Sequence, residues 1–366
     1  KMKINLIIFI SEFNRGGAGN SLFRLCVNLP KKLYNINVIC LNECAYEKEL
    51  KKNNINVFKI LSKKTSFAMF QIRKITKNLI SNKYKKNIFI SNIYYSNILS
   101  ILFLSNLNMK MVLIERTPFQ ELSIFFSLID LIKKKIMKLL IGFTYKYADL
   151  CIANSKYISN QYNKKYSLKF KTIFPPSFSN IKYNKRKYII NKKILNIGTV
   201  CRLSKEKGLS EFLNTISKLD FNLNFFIIGD GPELKKLKKI CINLGIEKKI
   251  IFLGFLNSKK IQKELRKLDL FINCSYFEGF PNSVVEALGS GVPVIASQSH
   301  GGINEIIKNN NFGYIYNSQE ELINTITDFN SGKLKFNLKK NILAKHLKKF
   351  SVSENIKNYS KIFEKI

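Results

Sequence analysis

The sequence predicts an α/β protein made of two doubly wound, Rossmann-like parallel sheets that face each other across a cleft. Strand-like runs alternate with helical patterns along the chain, which is the rhythm of a parallel sheet. The chain has 366 residues, more than one hydrophobic core usually organises. The pattern is interrupted near the middle, at Pro175-Pro176. We therefore expect two domains, with ligands bound at the carboxyl ends of their strands.

The first half of the chain contains six runs that are typical of strands. The first run is followed by a glycine-containing loop and a helix over about residues 20–29, which is how an α/β unit begins. The predicted strands are 3–10, 37–41, 56–60, 87–91, 110–114 and 150–153. These runs predict an N-terminal domain over residues 1–175.

A second series of strands follows a linker predicted over residues 176–193, where Lys, Asn and Tyr dominate. The predicted strands are 194–200, 224–229, 250–254, 270–274, 293–296 and 313–316. They predict a C-terminal domain over residues 194–348. Apolar residues at helical spacing then predict an amphipathic closing helix over 349–366, packed back toward the N-terminal domain.

Charge and cysteine content limit the classes of function. A net charge of +38 would attract nucleic acid, anionic lipid or phosphate-bearing substrates. The lysines are scattered in pairs, so the charge either is background composition or serves an anionic partner. The scatter, and the lack of a known binding module, argue against a nucleic-acid-binding protein. Seven cysteines without a CxxC pair indicate a reducing compartment, and two histidines are too few for a histidine-rich metal site.

Two segments bear on membrane association. Residues 1–10 could begin a signal peptide, but Glu12 and Arg15 interrupt the apolar run and no small-residue cleavage site follows. A buried first strand is therefore expected, and no transmembrane segment is predicted. Residues 122–147 combine apolar positions with lysines in a basic amphipathic pattern. This segment is either a surface for an anionic membrane or a long core helix.

The strongest candidate site is a turn between a buried strand and a helix. It reads Glu278-Gly279-Phe280-Pro281-Asn282-Ser283-Val284-Val285-Glu286. Such a turn presents backbone N–H groups and the positive end of the helix dipole to sugar hydroxyls or a phosphate. Carboxylates accept hydrogen bonds from vicinal hydroxyls, so one glutamate could hold a ribose and the other a hexose. An ordinary helix-capping loop with a solvated glutamate would show the same pattern.

A second candidate site is the basic turn after the first strand of the C-terminal domain. Arg202 offers a fork of donors and Lys207 a point charge. Both suit a diphosphate whose charge grows as it leaves. The position at the carboxyl edge of the sheet favours this interpretation over a basic surface turn.

A third candidate is the glycine loop after the first strand, Asn14-Arg15-Gly16-Gly17-Ala18-Gly19. Because the glycines of this loop have no side chains, the backbone there can approach a phosphate closely. The loop lacks the G-x-G-x-x-G spacing and the later acidic residue of a dinucleotide site, which argues against nicotinamide chemistry.

Together these motifs resemble the retaining glycosyltransferases of family 4, which have the GT-B fold. The resemblance covers nearly the whole chain. It rests on the glycine loop at Gly16-Gly17, the Arg202 and Lys207 pair, the E-x7-E motif from Glu278 to Glu286 with its tail Gly291-Val292-Pro293-Val294-Ile295-Ala296, the segment Gly301-Gly302-Ile303-Asn304-Glu305-Ile306, and the closing helix.

The resemblance implies a role for each motif. Arg202 and Lys207 would grip the donor diphosphate, Glu286 the ribose, and Glu278 the transferred sugar near its reacting carbon. No metal or other cofactor is implied, because cationic side chains and a helix dipole stabilise the leaving group. Retention would follow from front-face attack, in which the departing phosphate accepts the acceptor's proton.

The remaining donor contacts implied by the resemblance come from backbone groups. They would lie at Gly279, Phe280 and Pro281, with Asn282 beside them. Gly16 and Gly17 would reach the diphosphate from the N-terminal domain.

Two departures from the family pattern concern the donor. Many members carry Glu-Arg where this chain has Gly19-Asn20. Members also often place a donor-contacting His after the strand that ends at Ile114, where this chain has Glu115-Arg116. Arg116 either takes the place of that His or is a structural residue.

The resemblance implies a metal-independent, retaining hexosyltransferase that uses a UDP- or GDP-sugar. Its acceptor would be a carbohydrate or a polyprenyl-pyrophosphate-linked glycan, in the synthesis of bacterial surface polysaccharide such as O-antigen, lipopolysaccharide or capsule. The enzyme would be cytoplasmic, either free or peripheral on the inner face of the membrane. The alternatives are another GT-B sugar-nucleotide enzyme such as an epimerase, a catalytically silent homologue, and a basic nucleic-acid-binding protein.

Overall fold

The computed structural model describes residues 2–123, 127–178, 193–307 and 311–366, which fold into two α/β units. The N-terminal unit comprises the residues up to Pro176 together with Val352–Ile366, and the C-terminal unit comprises Ser177–Ser351. Each unit is built on a parallel sheet with helices on both faces. The predicted fold class, two doubly wound Rossmann-like domains, is confirmed. Most of the predicted linker, residues 179–192, lies outside the described residues.

The N-terminal unit alternates strands and helices from its first strand onward. In chain order its elements are β1 Ile4–Ile10, α1 Gly17–Asn28, β2 Tyr34–Leu41, α2 Glu47–Lys52, β3 Asn56–Ile60, α3 Thr65–Leu79, β4 Lys86–Asn92, α4 Tyr94–Leu104, β5 Lys110–Glu115, α5 Leu128–Thr144, β6 Leu150–Ala153, α6 Lys156–Tyr166 and β7 Phe170–Thr172. Short 3-10 turns at Phe119–Leu122 and Tyr145–Tyr147 flank α5.

The sheet of the N-terminal unit has the strand order β3-β2-β1-β4-β5-β6-β7, with every pair parallel. Successive side chains of β1 point to opposite faces, as strand geometry requires. Leu6 and Ile8 join one buried cluster, which includes α1, whereas Ile7 and Phe9 join a second cluster with α3, α4 and α5. Apolar side chains on both faces explain why the strands are near-continuous apolar runs.

The C-terminal unit repeats this architecture. Its elements are β8 Leu195–Val200, α7 Leu209–Ile216, β9 Leu223–Ile228, α8 Leu234–Asn243, β10 Ile250–Gly254, α9 Ser258–Leu265, β11 Leu270–Asn273, β12 Phe277–Glu278, α10 Asn282–Gly289, β13 Val294–Ser297, β14 His300–Gly301, α11 Ile303–Ile306, β15 Gly313–Tyr316, α12 Gln319–Ser331 and α13 Lys340–Leu347. The main sheet has the order β10-β9-β8-β11-β13-β15, and β12 pairs with β14 in a small second sheet.

The closing helix, α14 Val352–Lys365, packs on the N-terminal unit. Its buried side chains Tyr359 and Phe363 belong to the same cluster as β1 and α1. The Asn355 side-chain amide donates to the Phe174 carbonyl at 2.7 Å, and the Lys86 ammonium donates to the Ile366 carbonyl at 2.6 Å. These contacts bind both ends of the helix to the N-terminal unit.

Serine side chains cap the N-termini of several helices and so help to fix where these helices begin. The hydroxyls of Ser127, Ser155 and Ser318 accept hydrogen bonds from backbone N–H groups in the first turns of α5, α6 and α12. Gly332 ends α12 with a φ of +77°, a conformation that glycine adopts without strain. In the part of the chain that the structure describes, no helix has both the length and the apolar composition needed to cross a bilayer.

We predict that Phe363→Ala destabilises the N-terminal unit by about 3–5 kcal/mol, because it removes a fully buried ring and leaves a cavity. The ring lies 5.5 Å from Tyr359 and 6.1 Å from Tyr34, centroid to centroid. Urea denaturation followed by circular dichroism measures the change. Lys361→Ala, on the exposed face of the same helix, is the control. A loss for Phe363→Ala as small as that of the control would contradict the packing described.

Candidate active site

The candidate active site of the C-terminal unit lies at the carboxyl edge of its sheet. β8 and β11 are adjacent parallel strands, and the strand order reverses between them. Such a reversal leaves a crevice outside the carboxyl ends of the two strands. Arg202 and Lys207 follow β8, and Glu278 follows β11. The predicted basic turn and the predicted acidic turn therefore meet at this point.

Close backbone contacts hold the two turns together. Gly208 has a φ of +66°, and a Cβ added there would lie 2.1 Å from the Cys274 carbonyl oxygen. The Tyr276 N–H donates to the Glu206 carbonyl at 2.9 Å, and the Cys274 thiol donates to the Lys207 carbonyl at 3.1 Å. Only glycine combines the left-handed conformation with this approach, so Gly208 fixes the distance between the turns.

Lys207 and Glu278 form an ion pair between the two turns. The Lys207 ammonium donates to Glu278 Oε1, and the Ser275 hydroxyl donates to the same oxygen at 3.2 Å. The side chains are only 16% and 12% exposed. Burial by itself would lower the pKa of Lys207, but the Glu278 carboxylate outweighs that effect and raises the pKa above its ordinary value. Lys207 is therefore a firmly charged cation at the crevice.

The acidic turn is braced from behind by β14. Glu278, which the sequence predicted to lie in a loop, pairs with Gly301 in the short β12–β14 sheet. Gly301 has a φ of +152°, and a Cβ there would lie 1.5 Å from the Glu278 carbonyl oxygen. The Gly302 N–H donates to the Gly279 carbonyl at 3.1 Å. The Gly301-Gly302 pair of the sequence therefore supports the position of Glu278.

Helix α10 begins directly after this turn. Among the described residues, no side chain caps its first turn, for which Pro281 is the N-cap residue. The positive end of α10 is therefore free of an internal side-chain cap. Asn282 Oδ1 accepts a hydrogen bond from the Ser177 hydroxyl at 2.7 Å, and the Phe280 ring lies 5.1 Å from that of Phe350. Glu286 is half-buried and lies four residues into the helix.

Arg202 is exposed, and its guanidinium has no hydrogen-bond or ion-pair partner within the described ranges. Its backbone segment is positioned by the turn after β9, which the sequence analysis did not identify. The Leu203 N–H donates to the Asp230 carbonyl at 3.0 Å. Added Cβ atoms at Gly229 and Gly231 would lie 1.9 Å and 2.4 Å from carbonyl oxygens of Cys201 and Leu203. The two glycines after β9, Gly229 and Gly231, are the sequence feature that could have predicted this support of the Arg202 turn.

The glycine loop of the N-terminal unit follows β1. Gly16 is the N-cap residue of α1, and Gly17 is its first residue, so the helix begins three residues earlier than predicted. A Cβ at Gly19 would lie 1.9 Å from the Asn14 carbonyl oxygen, which requires glycine there. Among the described side chains, none caps this end of α1. Gly16 and Gly17 therefore lie at the positive end of a helix, as an anion-binding loop requires.

Arg116 follows β5, and both polar and apolar residues of the N-terminal unit surround it. Its Nε donates weakly to Asn92 Oδ1 at 3.4 Å, and burial lowers the pKa of the guanidinium. Arg116, Asn154 and Tyr359 line a cavity of about 10 Å³, which has room for about one water molecule. The cavity is too small for a sugar. The donor-binding role of Arg116 stays a prediction.

Glu115 holds the Arg116 turn in place. This fully buried carboxylate accepts hydrogen bonds from the Tyr145 hydroxyl at 2.8 Å and from the N–H groups of Arg116 and Thr117 at 2.9 and 3.0 Å. Burial raises the pKa of Glu115 to about 7, although these hydrogen bonds act in the opposite direction.

No group of three or more His, Cys, Asp or Glu side chains in the described ranges is arranged to hold a metal ion.

Comparison with known proteins finds a family model that matches the C-terminal half of the chain. Residues 180–347 match the family model described as Glycosyl transferases group 1. This segment is therefore similar to the group 1 glycosyl transferases. The matched residues contain the basic turn with Arg202 and Lys207 and the whole E-x7-E motif, so the similarity includes the candidate site of the C-terminal unit.

Curated relatives match different parts of this chain. An uncharacterized glycosyltransferase of Methanocaldococcus jannaschii is 34% identical over 32% of this chain. The chain spans 30% of that relative and 52% of a second one, Protein CapJ of Staphylococcus aureus. A longer match, 28% identical over 88% of this chain and 86% of the relative, is to the Campylobacter jejuni GalNAc-alpha-(1->4)-GalNAc-alpha-(1->3)-diNAcBac-PP-undecaprenol alpha-1,4-N-acetyl-D-galactosaminyltransferase.

Solved structures of glycosyltransferases share the whole fold. HepE of Anabaena, in complex with UDP and glucose, superposes with a TM-score of 0.80 at 20% identity, covering 100% of both chains. At this level of identity the comparison shows the fold alone. The GT-B fold predicted from the sequence is confirmed.

We predict that Gly301→Ala disrupts the β12–β14 pairing and destabilises the C-terminal unit by about 1–3 kcal/mol, because the residue needs both positive φ and close approach. Gly289→Ala is the matched control. It lies at the end of α10 with nothing within 4 Å of an added Cβ, so it should be neutral or stabilising by up to about 1 kcal/mol. Thermal unfolding measures both. Equal behaviour of the two variants would contradict the account.

A second prediction concerns pH and Glu115. Its pKa is about 7 in the folded protein against the ordinary value of 4.5. The folded state therefore keeps a proton that the unfolded state releases, so the stabilising effect is complete below about pH 4.5 and is lost as the pH rises to about 7. Relative to Glu115→Gln, the wild type should lose about 3 kcal/mol over this interval. Urea denaturation across the range measures the difference. Parallel stability profiles of the two proteins would contradict it.

Proposed function

We propose that this protein is a group 1 glycosyl transferase that transfers a hexose, with retention of configuration, from a UDP- or GDP-sugar and without a metal ion. The observation that carries the proposal is the buried Lys207–Glu278 pair beside the uncapped start of α10. It gives one crevice both a cation for a phosphate and a carboxylate for sugar hydroxyls.

The basic turn would bind the donor diphosphate. Arg202 is exposed and can turn its guanidinium fork to two phosphate oxygens, whereas Lys207 is held in place by its carboxylate partner. The first turn of α10 adds backbone N–H groups and a helix dipole. These groups would stabilise the charge that develops on the leaving phosphate, which is the task that a metal ion performs in other enzymes.

The acidic residues would bind the hydroxyl groups of the donor. Glu278, held by Ser275 and Lys207, would accept hydrogen bonds from the transferred sugar. Glu286 would hold the ribose, and backbone groups of Gly279, Phe280 and Pro281 would contact the sugar. Asn282 already accepts a hydrogen bond from the Ser177 hydroxyl, so we propose that Asn282 positions the start of α10.

The N-terminal unit would bind the donor through the first turn of α1. Gly16 and Gly17 would offer backbone N–H groups to the diphosphate. In the transfer itself, the bond between the sugar's anomeric carbon and the phosphate oxygen breaks, and a bond to the acceptor oxygen forms on the same face. The acceptor's hydroxyl proton passes to the departing phosphate.

For the acceptor we propose a carbohydrate or a polyprenyl-pyrophosphate-linked glycan. Two relatives support this class by name: the Campylobacter enzyme, whose name contains a PP-undecaprenol-linked glycan, and a Salmonella typhimurium lipopolysaccharide 1,6-galactosyltransferase, 25% identical over 36% of this chain. The structures of HepE with UDP and UDP-glucose support a UDP-sugar donor. The enzyme would then act in bacterial surface polysaccharide synthesis, as a peripheral protein on the cytoplasmic face of the membrane.

We predict that UDP or GDP raises the unfolding temperature of the wild type, because a ligand that binds only the folded state stabilises it. Arg202→Ala should abolish the shift. Lys207→Met and Glu278→Gln should each lower transfer at least about 100-fold, the effect of losing one charged group at a developing charge. Lys267→Ala, which removes an exposed ion pair with Glu264, is the control.

Thermal unfolding of each variant separates loss of folding from loss of activity. Normal transfer by folded Lys207→Met and Glu278→Gln would refute the site assignment. Conversion of the sugar nucleotide to an isomer without any acceptor would instead identify an epimerase.

A further inference from the structure

Helix α5 carries an apolar face that points into solvent. The side chains of this face are between 46% and 75% exposed. They are Leu128, Ile129, Ile132, Ile136, Leu139 and Phe143. At the angular spacing of an α-helix they fall within one arc of about 100°, and no charged residue lies inside it. We call these six residues the outer face of α5.

The outer face is not the face with which α5 packs on its own unit. Met137, Leu140, Ile141 and Tyr145 belong to or pack against the buried cluster that lies over the sheet. These residues occupy the opposite side of the helix, so the core-facing role of α5 is already filled. The sequence predicted that residues 122–147 form either a long core helix or a surface for a membrane. In the described part of this segment, α5 has both features, because one apolar arc faces the core and a second one faces solvent.

Lysines border the outer face. Over residues 128–147 the chain has five lysines and one aspartate, and that aspartate, Asp130, is paired with Lys134 at 3.1 Å. Lys133 and Lys135 are exposed at the two edges of the arc. The Lys146 ammonium lies over the Phe143 ring, 5.0 Å from its centroid, so a lysine also stands beside the last residue of the face.

The neighbouring helices extend this surface. α4 packs between α3 and α5 on the same side of the sheet. On α3, Phe67 and Phe70 are 71% and 72% exposed, and on α4, Leu102 is 51% exposed. Large apolar side chains thus recur across the outer surface of a three-helix layer, where a soluble monomer normally exposes them singly.

We propose that the outer face of α5 docks this protein on an anionic bilayer surface. Apolar side chains with lysines at their edges match an interface in which acyl chains lie beneath negatively charged headgroups. The surface belongs to the N-terminal unit alone and does not use the crevice of the C-terminal unit. The inference thus rests on the membrane association proposed above and names the surface responsible for it, whereas its test does not require sugar transfer.

Cosedimentation of the full chain with vesicles, without any nucleotide sugar, tests this inference. One vesicle preparation is phosphatidylcholine alone and the other contains about one third phosphatidylglycerol. The wild type should bind the anionic vesicles, and binding should weaken as salt is raised. Ile132→Ser with Leu139→Ser should lower the partition coefficient at least about tenfold, because both side chains would enter the interface.

Matched variants in the C-terminal unit separate a docking face from diffuse charge. Ile242→Ser with Phe255→Ser removes two apolar side chains of similar exposure. Triple Lys→Gln variants compare Lys133, Lys135 and Lys146 with the exposed Lys259, Lys260 and Lys263 of α9. The α5 triple variant should lose about fivefold per lysine, and the α9 variant much less.

Three outcomes would overturn the proposal. The first is failure of the wild type to bind anionic vesicles at low salt. The second is an equal loss of binding in the α9 and α5 lysine variants. The third is a dimer, seen by light scattering, that Ile132→Ser with Leu139→Ser dissociates, because a second copy would then cover the face. The lysine variants keep the test decisive if the serine variant fails to fold.

Discussion

The ion pair between Lys207 and Glu278 is the interaction on which the candidate active site depends. It joins the turn after β8 to the turn after β11 in a largely buried place, where separating two charges from water is costly. The pair is tolerated because the surrounding backbone fixes its geometry: Gly208 brings the turns together and Gly301 braces the acidic one. A donor that approached this crevice would offer the lysine a phosphate and the glutamate a hydroxyl. Lys207 and Glu278, which bind each other in this structure, would then both bind the donor.

Both units share one structural arrangement at the carboxyl edges of their sheets. In each sheet the strand order reverses beside the first strand, and the loop after that strand contains at least one glycine. A helix without a side-chain cap begins near the edge, α1 in the N-terminal unit and α10 in the C-terminal unit. Open backbone N–H groups suit anionic ligands, and the similarity of residues 180–347 to group 1 glycosyl transferases agrees with the proposed nucleotide-sugar donor. The outer face of α5 is a different kind of surface, which is apolar and bordered by lysines. It takes no part in the crevice of the C-terminal unit.

Much of the fold could be predicted because the central strands are buried on both faces. The strands at 56–60, 150–153, 250–254 and 313–316 have the predicted bounds, and the other predicted strands differ by up to three residues. β7 was missed because it has three residues, one of them an exposed lysine, and β12 and β14 because two-residue strands leave no pattern. The two turns that carry Arg202, Lys207 and Glu278 could be located from the sequence. The supporting roles of Gly229 and Gly301 could not, since they depend on contacts between distant segments. The position of α5 could not be decided from sequence, because two apolar arcs on one helix do not reveal which one faces the core.

A crystal structure of the protein with UDP would test the central claim most directly. The account predicts that the diphosphate lies within hydrogen-bonding distance of Arg202, Lys207 and the first turn of α10, with the ribose at Glu286. UDP bound elsewhere, with the Lys207–Glu278 pair unchanged and the crevice empty at saturating ligand, would contradict it.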